Sequence, residues 1–309
     1  MKILVTGGAG FIGSHVVDAY VEAGHDVTVV DDLSTGSRQN VHPAARLIHL
    51  DIRDASLQKI FHEEKFDVLN HHAAQMDVRR SVADPVFDAS VNVIGGLNLL
   101  EHACRNGIRK IVFASTGGAI YGEQERFPAD EEHPTLPLSP YGITKLCTEK
   151  YLYYYKAVYG IDYIILRYAN IYGPRQNPHG EAGVVAIFSN KMLGKEPPVI
   201  NGDGRQTRDY TYVADAVSAN LLALNYVGSN IFNVGTGIET SVNTLFHTLR
   251  QYLNPACPER HGPAKAGEQV RSVISAAKIS KELGWRPTVG LEDGLKRTAE
   301  FFRKGTVPA

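Results

Sequence analysis

The chain has 309 residues, 43% hydrophobic and 21% charged, with a formal net charge of −1, which suits a globular protein of one large domain or two joined units and gives no basic surface for nucleic acid or an anionic membrane. Its three cysteines, Cys104, Cys147 and Cys257, are odd in number and widely spaced, which argues against a disulfide framework or a zinc knuckle and fits a reducing cytoplasm. No apolar run approaches the ~18 residues of a membrane span, and the opening run Met1–Thr6 is too short for a signal peptide.

Along the chain, short apolar runs alternate with longer amphipathic segments. Ile3–Val5, Val27–Val30, Leu47–Leu50, Val68–Asn70, Ile111–Ala114 and Tyr163–Leu166 read as buried strands. Between them, Ile12–Ala23, Ala55–Glu64, Val86–Arg105 and Tyr141–Tyr159 read as helices, and three of these stop near a glycine: Gly24, Gly107 or Gly160. This order predicts an α/β fold, a doubly wound parallel sheet of Rossmann type. After residue 172 the pattern loosens, and Gly173–Gly180 reads as a loop. Residues 1–172 are expected to form the nucleotide-binding domain. Residues 173–309 are expected to form a smaller mixed α/β cap, with segments crossing between the two.

Thr6-Gly7-Gly8-Ala9-Gly10-Phe11-Ile12-Gly13 lies between the first strand and the first helix. Glycines at this spacing permit a tight turn and let a pyrophosphate approach the backbone at a helix N-terminus. Asp31 ends the second strand, where a carboxylate can accept hydrogen bonds from an adenosine ribose and repel a 2′-phosphate. NAD is therefore expected over NADP. Asp51, after the third strand, suits either the adenine edge or a helix cap.

Tyr141 and Lys145 stand at i and i+4, on one face of the expected helix. A nearby ammonium or a cationic nicotinamide stabilises a phenolate and lowers the tyrosine pKa, fitting the residue for proton transfer near neutrality. Such a pair is expected by chance in a chain with 15 tyrosines, so its weight comes from position. It opens the helix after Ser139-Pro140, and the strand before it ends in Ser115-Thr116-Gly117-Gly118. Strand C-termini line the ligand crevice of such sheets, so Ser115 or Thr116 could hold a substrate hydroxyl there. His71-His72 lacks metal-ligand spacing, and no metal is expected.

With these motifs, and with His72-Ala73-Ala74, Leu166–Arg175, Arg208-Asp209-Tyr210 and Gly284-Trp285-Arg286-Pro287, the chain resembles the extended short-chain dehydrogenase/reductase family, and within it the UDP-hexose 4-epimerases. The resemblance spans essentially the whole chain. It implies NAD on residues 1–172 and a UDP-sugar on 173–309. It implies cofactor contacts from Gly7, Gly10, Phe11, Ile12, Asp31, Asp32, Ser34, Thr35, Gly36, Asp51, Ile52, Ala73, Ala74, Asn92 and Tyr168, with Asn92 supporting the catalytic lysine. Tyr141 is implied as the acid/base, Lys145 as the nicotinamide-ribose anchor and Thr116 as the catalytic hydroxyl. Thr116, Asn170, Val184, Val185, Arg208, Lys265, Glu268 and Ser272 are implied at the substrate. A cytoplasmic homodimer built on Val86–Arg105 and Tyr141–Tyr159 also follows from the family.

Two departures bear on the site. Relative to Tyr121-Gly122, Gly117 stands where many members carry the catalytic Ser or Thr, so Thr116 must be moved into register. Ser272 stands where some members carry a tyrosine, leaving room for an N-acetylated UDP-hexose. The reaction expected is interconversion of UDP-glucose and UDP-galactose. The alternatives are a UDP-glucuronate 4-epimerase, a nucleotide-sugar 4,6-dehydratase and a non-catalytic dinucleotide-binding regulator. The dehydratase is opposed by Gly117-Gly118, where related dehydratases carry Asp-Glu, and the regulator by the presence of both Tyr141 and Lys145.

Overall fold

The computed structural model describes residues 1–178, 183–265 and 269–305. Its strands are β1 (Lys2–Thr6), β2 (Asp26–Asp31), β3 (Arg46–His49), β4 (Val68–His71), β5 (Lys110–Thr116), β6 (Asp162–Tyr168), β7 (Asn170–Tyr172), β8 (Val199–Asn201), β9 (Thr207–Tyr212), β10 (Asn230–Val234), β11 (Glu239–Ser241), β12 (Arg260–Gly262) and β13 (Arg271–Ser272). The main sheet has seven strands in the order β10-β6-β5-β4-β1-β2-β3, all parallel. Six of them are the apolar runs read from the sequence. The seventh, β10, comes from the C-terminal part and pairs with β6.

The helices are α1 (Phe11–Glu22), α2 (Leu57–Glu64), α3 (Val78–Ala83), α4 (Pro85–Ala89), α5 (Gly96–Arg105), α6 (Gly117–Ile120), α7 (Pro140–Tyr159), α8 (Val184–Leu193), α9 (Val213–Asn225), α10 (Val242–Leu253), α11 (Ala277–Leu283) and α12 (Leu291–Gly305). The segment expected as one helix, Val86–Arg105, is interrupted. Between α4 and α5, Ser90–Gly95 winds as a π-helix, a local widening often found at functional sites.

Side-chain alternation explains the two-sided core. Ile3 and Val5 of β1 pack with Val16, Val17 and Tyr20 of α1 and with Ala216 and Ala219 of α9. Leu4 faces the other way, with Leu57 and Phe61 of α2, Leu99 of α5 and Leu152 of α7. Each buried leucine or phenylalanine contributes about 1.5–3 kcal/mol. The C-terminal part adds a second sheet in which β9 is flanked by β11 and β13 and also pairs with β7, while α8, α10 and α12 pack together beneath it. The loop after β7 is latched to α1: Arg175 Nη1 donates to Asp18 Oδ2 at 2.8 Å, and the His15 ring meets the Pro174 carbonyl at 3.0 Å. No helix among the described residues is long and apolar enough to cross a membrane.

Candidate active site

The glycine loop between β1 and α1 is a cradle that side chains would fill. Gly7 has φ +70°, and a Cβ there would lie 2.5 Å from the backbone nitrogen of Ala73. A Cβ on Gly13 would lie 2.2 Å from the Gly7 carbonyl oxygen. Only glycine lets these backbones touch. Gly10 caps α1 without a side-chain hydrogen bond, and the first turn carries no acidic residue. Its N–H groups and positive dipole end are left for an anion. Phe11 and Ile12 open this turn and lie half-buried against the core.

Asp31 closes the cradle. Its Oδ2 accepts from Ala9 N at 2.9 Å and its Oδ1 from Leu33 N at 2.8 Å. Burial pushes its pKa up, against the pull of these two donors. Each oxygen keeps a further acceptor site for a ribose hydroxyl. Asp32 Oδ1 accepts from both the backbone and the hydroxyl of Ser34, ordering the exposed turn that continues into Thr35 and Gly36. Ser37 N and Asn40 Nδ2 then donate to the Ala9 carbonyl at 3.0 and 3.1 Å. Asn40 was invisible in the sequence because nothing local marks it. The donor set, the glycine clearances and Asp31 fit an adenine dinucleotide without a 2′-phosphate.

At the expected adenine end the chain makes contacts of its own. Asp51 is engaged by Arg53, whose backbone N–H and Nε donate to it at 2.8 and 3.0 Å, and this cation lowers its pKa. Ile52 is buried, with Gly95 pressed against it. The Tyr168 hydroxyl accepts from Asn220 Nδ2 at 2.6 Å, and its ring stacks on His72. Ala73 and Ala74 follow β4 on the crevice side, half-buried, beside Gly7.

At the other end of the crevice, Ser139 caps α7 through Gly142 N at 3.2 Å, and Pro140 opens the helix. Lys145 is buried, and its Nζ donates to the Ala114 carbonyl of β5 at 2.9 Å. The same nitrogen lies 5.9 Å from the Tyr141 ring centroid and 4.8 Å from that of Phe113. Burial holds the Lys145 pKa down to about 8, with Asp88 and Glu149 pulling it back up. Tyr141 is raised, by burial first and by Asp88 second. The Tyr141 hydroxyl makes no hydrogen bond among the described residues.

Strand alternation separates Ser115 from Thr116. Ser115 lies on the same face of β5 as Ile111 and Phe113, which pack toward α5 and α7. Its hydroxyl donates to Glu149 Oε1 at 2.6 Å. Glu149 is also clasped by Arg167, whose Nε and Nη2 donate at 3.0 and 2.7 Å. Thr116 points the other way, and its hydroxyl makes no hydrogen bond among the described residues. A Cβ on Gly118 would lie 3.8 Å from Thr116 Oγ1 and 3.5 Å from Asn170 Oδ1, so these two polar groups converge on one wall. The short helix α6 sets that wall against α7, since a Cβ on Gly142 would lie 2.8 Å from the Ala119 carbonyl.

Asn92 sits in the π-helical stretch but does not contact Lys145. Its Oδ1 accepts from Gln75 N at 2.8 Å, and its Nδ2 donates to Gln75 O at 3.0 Å and Thr144 Oγ1 at 3.1 Å. It fixes the Gln75 loop to α7. Gln75, Thr144 and Asp88 form this network with it; sequence reading had only Asn92, because the others carry no motif.

On the cap side, Arg208 of β9 donates through Nη1 to the Thr207 carbonyl at 2.8 Å. Ser272 of β13 is its cross-strand partner and is buried. Val184 and Val185 open α8; Val185 is buried in the core and Val184 packs half-buried against it. Lys265 is exposed. Glu268 lies outside the described residues. No metal-binding cluster occurs among the described residues.

Residues 3–235 match the family model described as the NAD dependent epimerase/dehydratase family. The chain belongs to that family. A UDP-glucose 4-epimerase of Mycolicibacterium smegmatis is 45% identical over 310 residues, covering 98% of this chain and 99% of that protein. The crystal structure of a UDP-glucose 4-epimerase of Thermotoga maritima with UDP-glucose superposes with a TM-score of 0.97 at 48% identity, covering 99% of each chain. A UDP-N-acetylglucosamine 4-epimerase of Methanobrevibacter ruminantium, in complex with UDP-N-acetylmuramic acid, superposes with a TM-score of 0.92 at 34% identity, again covering 99% of each. Membership in this NAD-dependent family agrees with the cradle's clearances and with Asp31.

Proposed function

We propose that the chain is an NAD-dependent 4-epimerase that interconverts UDP-glucose and UDP-galactose. The observation that carries the reading is the placement of Tyr141, Lys145 and Thr116 around the C-terminal end of β5, with the phenol and the threonine hydroxyl both uncommitted. NAD⁺ in the cradle supplies a hydride acceptor, and afterwards a hydride donor, for C4 of the sugar. Tyr141 takes the 4-hydroxyl proton as C4 becomes a ketone and returns it when C4 is reduced. Thr116, both donor and acceptor, orients that hydroxyl. Lys145 holds positive charge beside the ring and anchors the nicotinamide ribose. Because burial and Asp88 raise the phenol, its ionisation depends on cationic charge brought into the crevice with the oxidised cofactor.

The 4-keto sugar must turn over before it is reduced on its other face, so binding energy belongs on the nucleotide. Asn170 and Arg208 are assigned to UDP, with Val184 and Val185 beside it; a guanidinium suits a diphosphate through bidentate geometry. Gly117-Gly118 offers no acid or base for dehydration, and a Cβ on Gly117 would lie 2.7 Å from Ile274 Cδ1, so a longer side chain there would require Ile274 to shift. Ser272, small and opposite Arg208, leaves space for a 2-acetamido group, and N-acetylated UDP-hexoses are accepted on this reading. Two copies pair through α4, the π-helical stretch, α5 and α7, where Val86, Ile94, Ile143, Tyr154 and Val158 are exposed.

Tyr141→Phe tests the assignment. The variant should lose at least about 100-fold in kcat while binding UDP normally by calorimetry, since general acid–base transfer supplies about 10²–10⁴-fold. Near-normal turnover would remove Tyr141 from the chemistry.

A further inference from the structure

Beneath the proposed catalytic pair lies a fully buried carboxylate, Asp88. It stands in α4, four residues before Asn92. Its Oδ1 accepts from Gln75 Nε2 at 2.9 Å and Asn92 Nδ2 at 3.2 Å, and its Oδ2 accepts from Thr144 Oγ1 at 2.8 Å. These donors come from three places: the loop after β4, the π-helical stretch, and the residue before Lys145 on α7. The Thr144 hydroxyl also lies 3.0 Å from the Tyr141 carbonyl.

The charge count around the pair makes the carboxylate more than a spacer. A buried charge persists where it is paired or fully hydrogen-bonded. Glu149 is matched by Arg167 in a buried pair at 2.7 Å. His71 and His72 are held neutral by burial. Arg53 and Arg80 lie over the Phe87 ring with their heads partly in solvent. Lys145 meets a neutral carbonyl. Among the described residues, Asp88 and Lys145 are left as the buried anion and cation around the pair without a contact partner of opposite charge, on elements that pack together.

We propose that Asp88 is a positioning residue for the epimerase reaction, holding the Tyr141–Lys145 turn of α7 through Thr144 and supplying the counter-charge that keeps Lys145 an ammonium. The role rests on the 4-epimerase reading. Electrostatics agree in direction: Asp88 raises both Lys145 and Tyr141. It preserves the cation at the cost of a less acidic phenol.

The test is the pH profile of kcat/KM for UDP-galactose, measured on the NAD-loaded enzyme and on Asp88→Asn. Asparagine keeps the shape and an acceptor oxygen and removes the charge. With the positive charge of the oxidised cofactor bringing the phenol below the ammonium, the acid limb follows loss of the Tyr141 proton and the alkaline limb loss of the Lys145 proton, as apparent values of a coupled pair. Without the anion both fall, and the whole bell moves to lower pH by about one unit. A purely structural role lowers activity and melting temperature at every pH and leaves the limbs in place; that result in a folded variant overturns the proposal. If the amide prevents folding, Asp88→Ser removes the same charge without filling the site, and the same downward shift is required. An active wild type with an unmoved variant profile sinks this inference alone, whereas an inert wild type sinks the epimerase reading and this inference with it.

Discussion

Ser272 shows how one side chain sets a boundary. It is buried on a two-residue strand, opposite Arg208, and on the proposed reading its volume would fix how far the sugar pocket extends. Ser272→Tyr should depress kcat/KM for UDP-N-acetylglucosamine at least about tenfold more than for UDP-glucose, the scale of about 1.4 kcal/mol that steric fit in a pocket supplies. Coupled assays on both sugars check it, and equal losses would show that Ser272 is not the gate. Residue identities at the site were legible where chemistry demands a type at a spacing, as with Gly7, Gly13, Asp31, Tyr141 and Lys145. Orientation was not. Asp51 and Tyr168 also make contacts within the chain, to Arg53 and Asn220, that no local pattern announced. The choice between Ser115 and Thr116 needed the strand's facing, which Glu149 reveals.

At the scale of elements, strands and helices were readable because buried parallel strands are continuous apolar runs and the intervening helices end at glycine. The break in Val86–Arg105 was not read from the sequence. Its one local mark is Gly95-Gly96 at the end of the stretch, and the π-helical turn accompanies the buried Asn92–Gln75–Thr144 contacts. The aromatic run on α7 divides by face: Tyr155 is buried against Glu101 and α5, while Tyr153, Tyr154, Val158 and Tyr159 are exposed. An apolar face of this kind marks a protein contact. Val158→Glu should therefore convert a dimer to a monomer in multi-angle light scattering at micromolar concentration while leaving the fold intact by circular dichroism. A wild-type protein that is already monomeric would refute the pairing.

For the whole molecule, the sequence order of strands foretold the parallel sheet, and the expectation that segments cross between the two parts did not single out β10, which returns to extend the sheet beside β6. That return, α9 packed on α1, and the Arg175–Asp18 latch tie the N-terminal and C-terminal parts of the chain together. The buried chain Ser115–Glu149–Arg167–Tyr121–Asn233 runs from β5 through α7 and β6 to β10. It ties the catalytic helix to the strand contributed by the cap. A chain tied together in this way suits chemistry in which a reduced cofactor and a ketone must not part before the reverse transfer.

The most direct test of that chemistry follows the hydrogen on C4. UDP-galactose carrying deuterium at C4 is incubated with the purified enzyme in ordinary water, and the product is read by NMR. The account predicts UDP-glucose with the deuterium still on C4, because the hydride that leaves that carbon returns to it. UDP-glucose with hydrogen from solvent at C4, or no conversion at all, would contradict it.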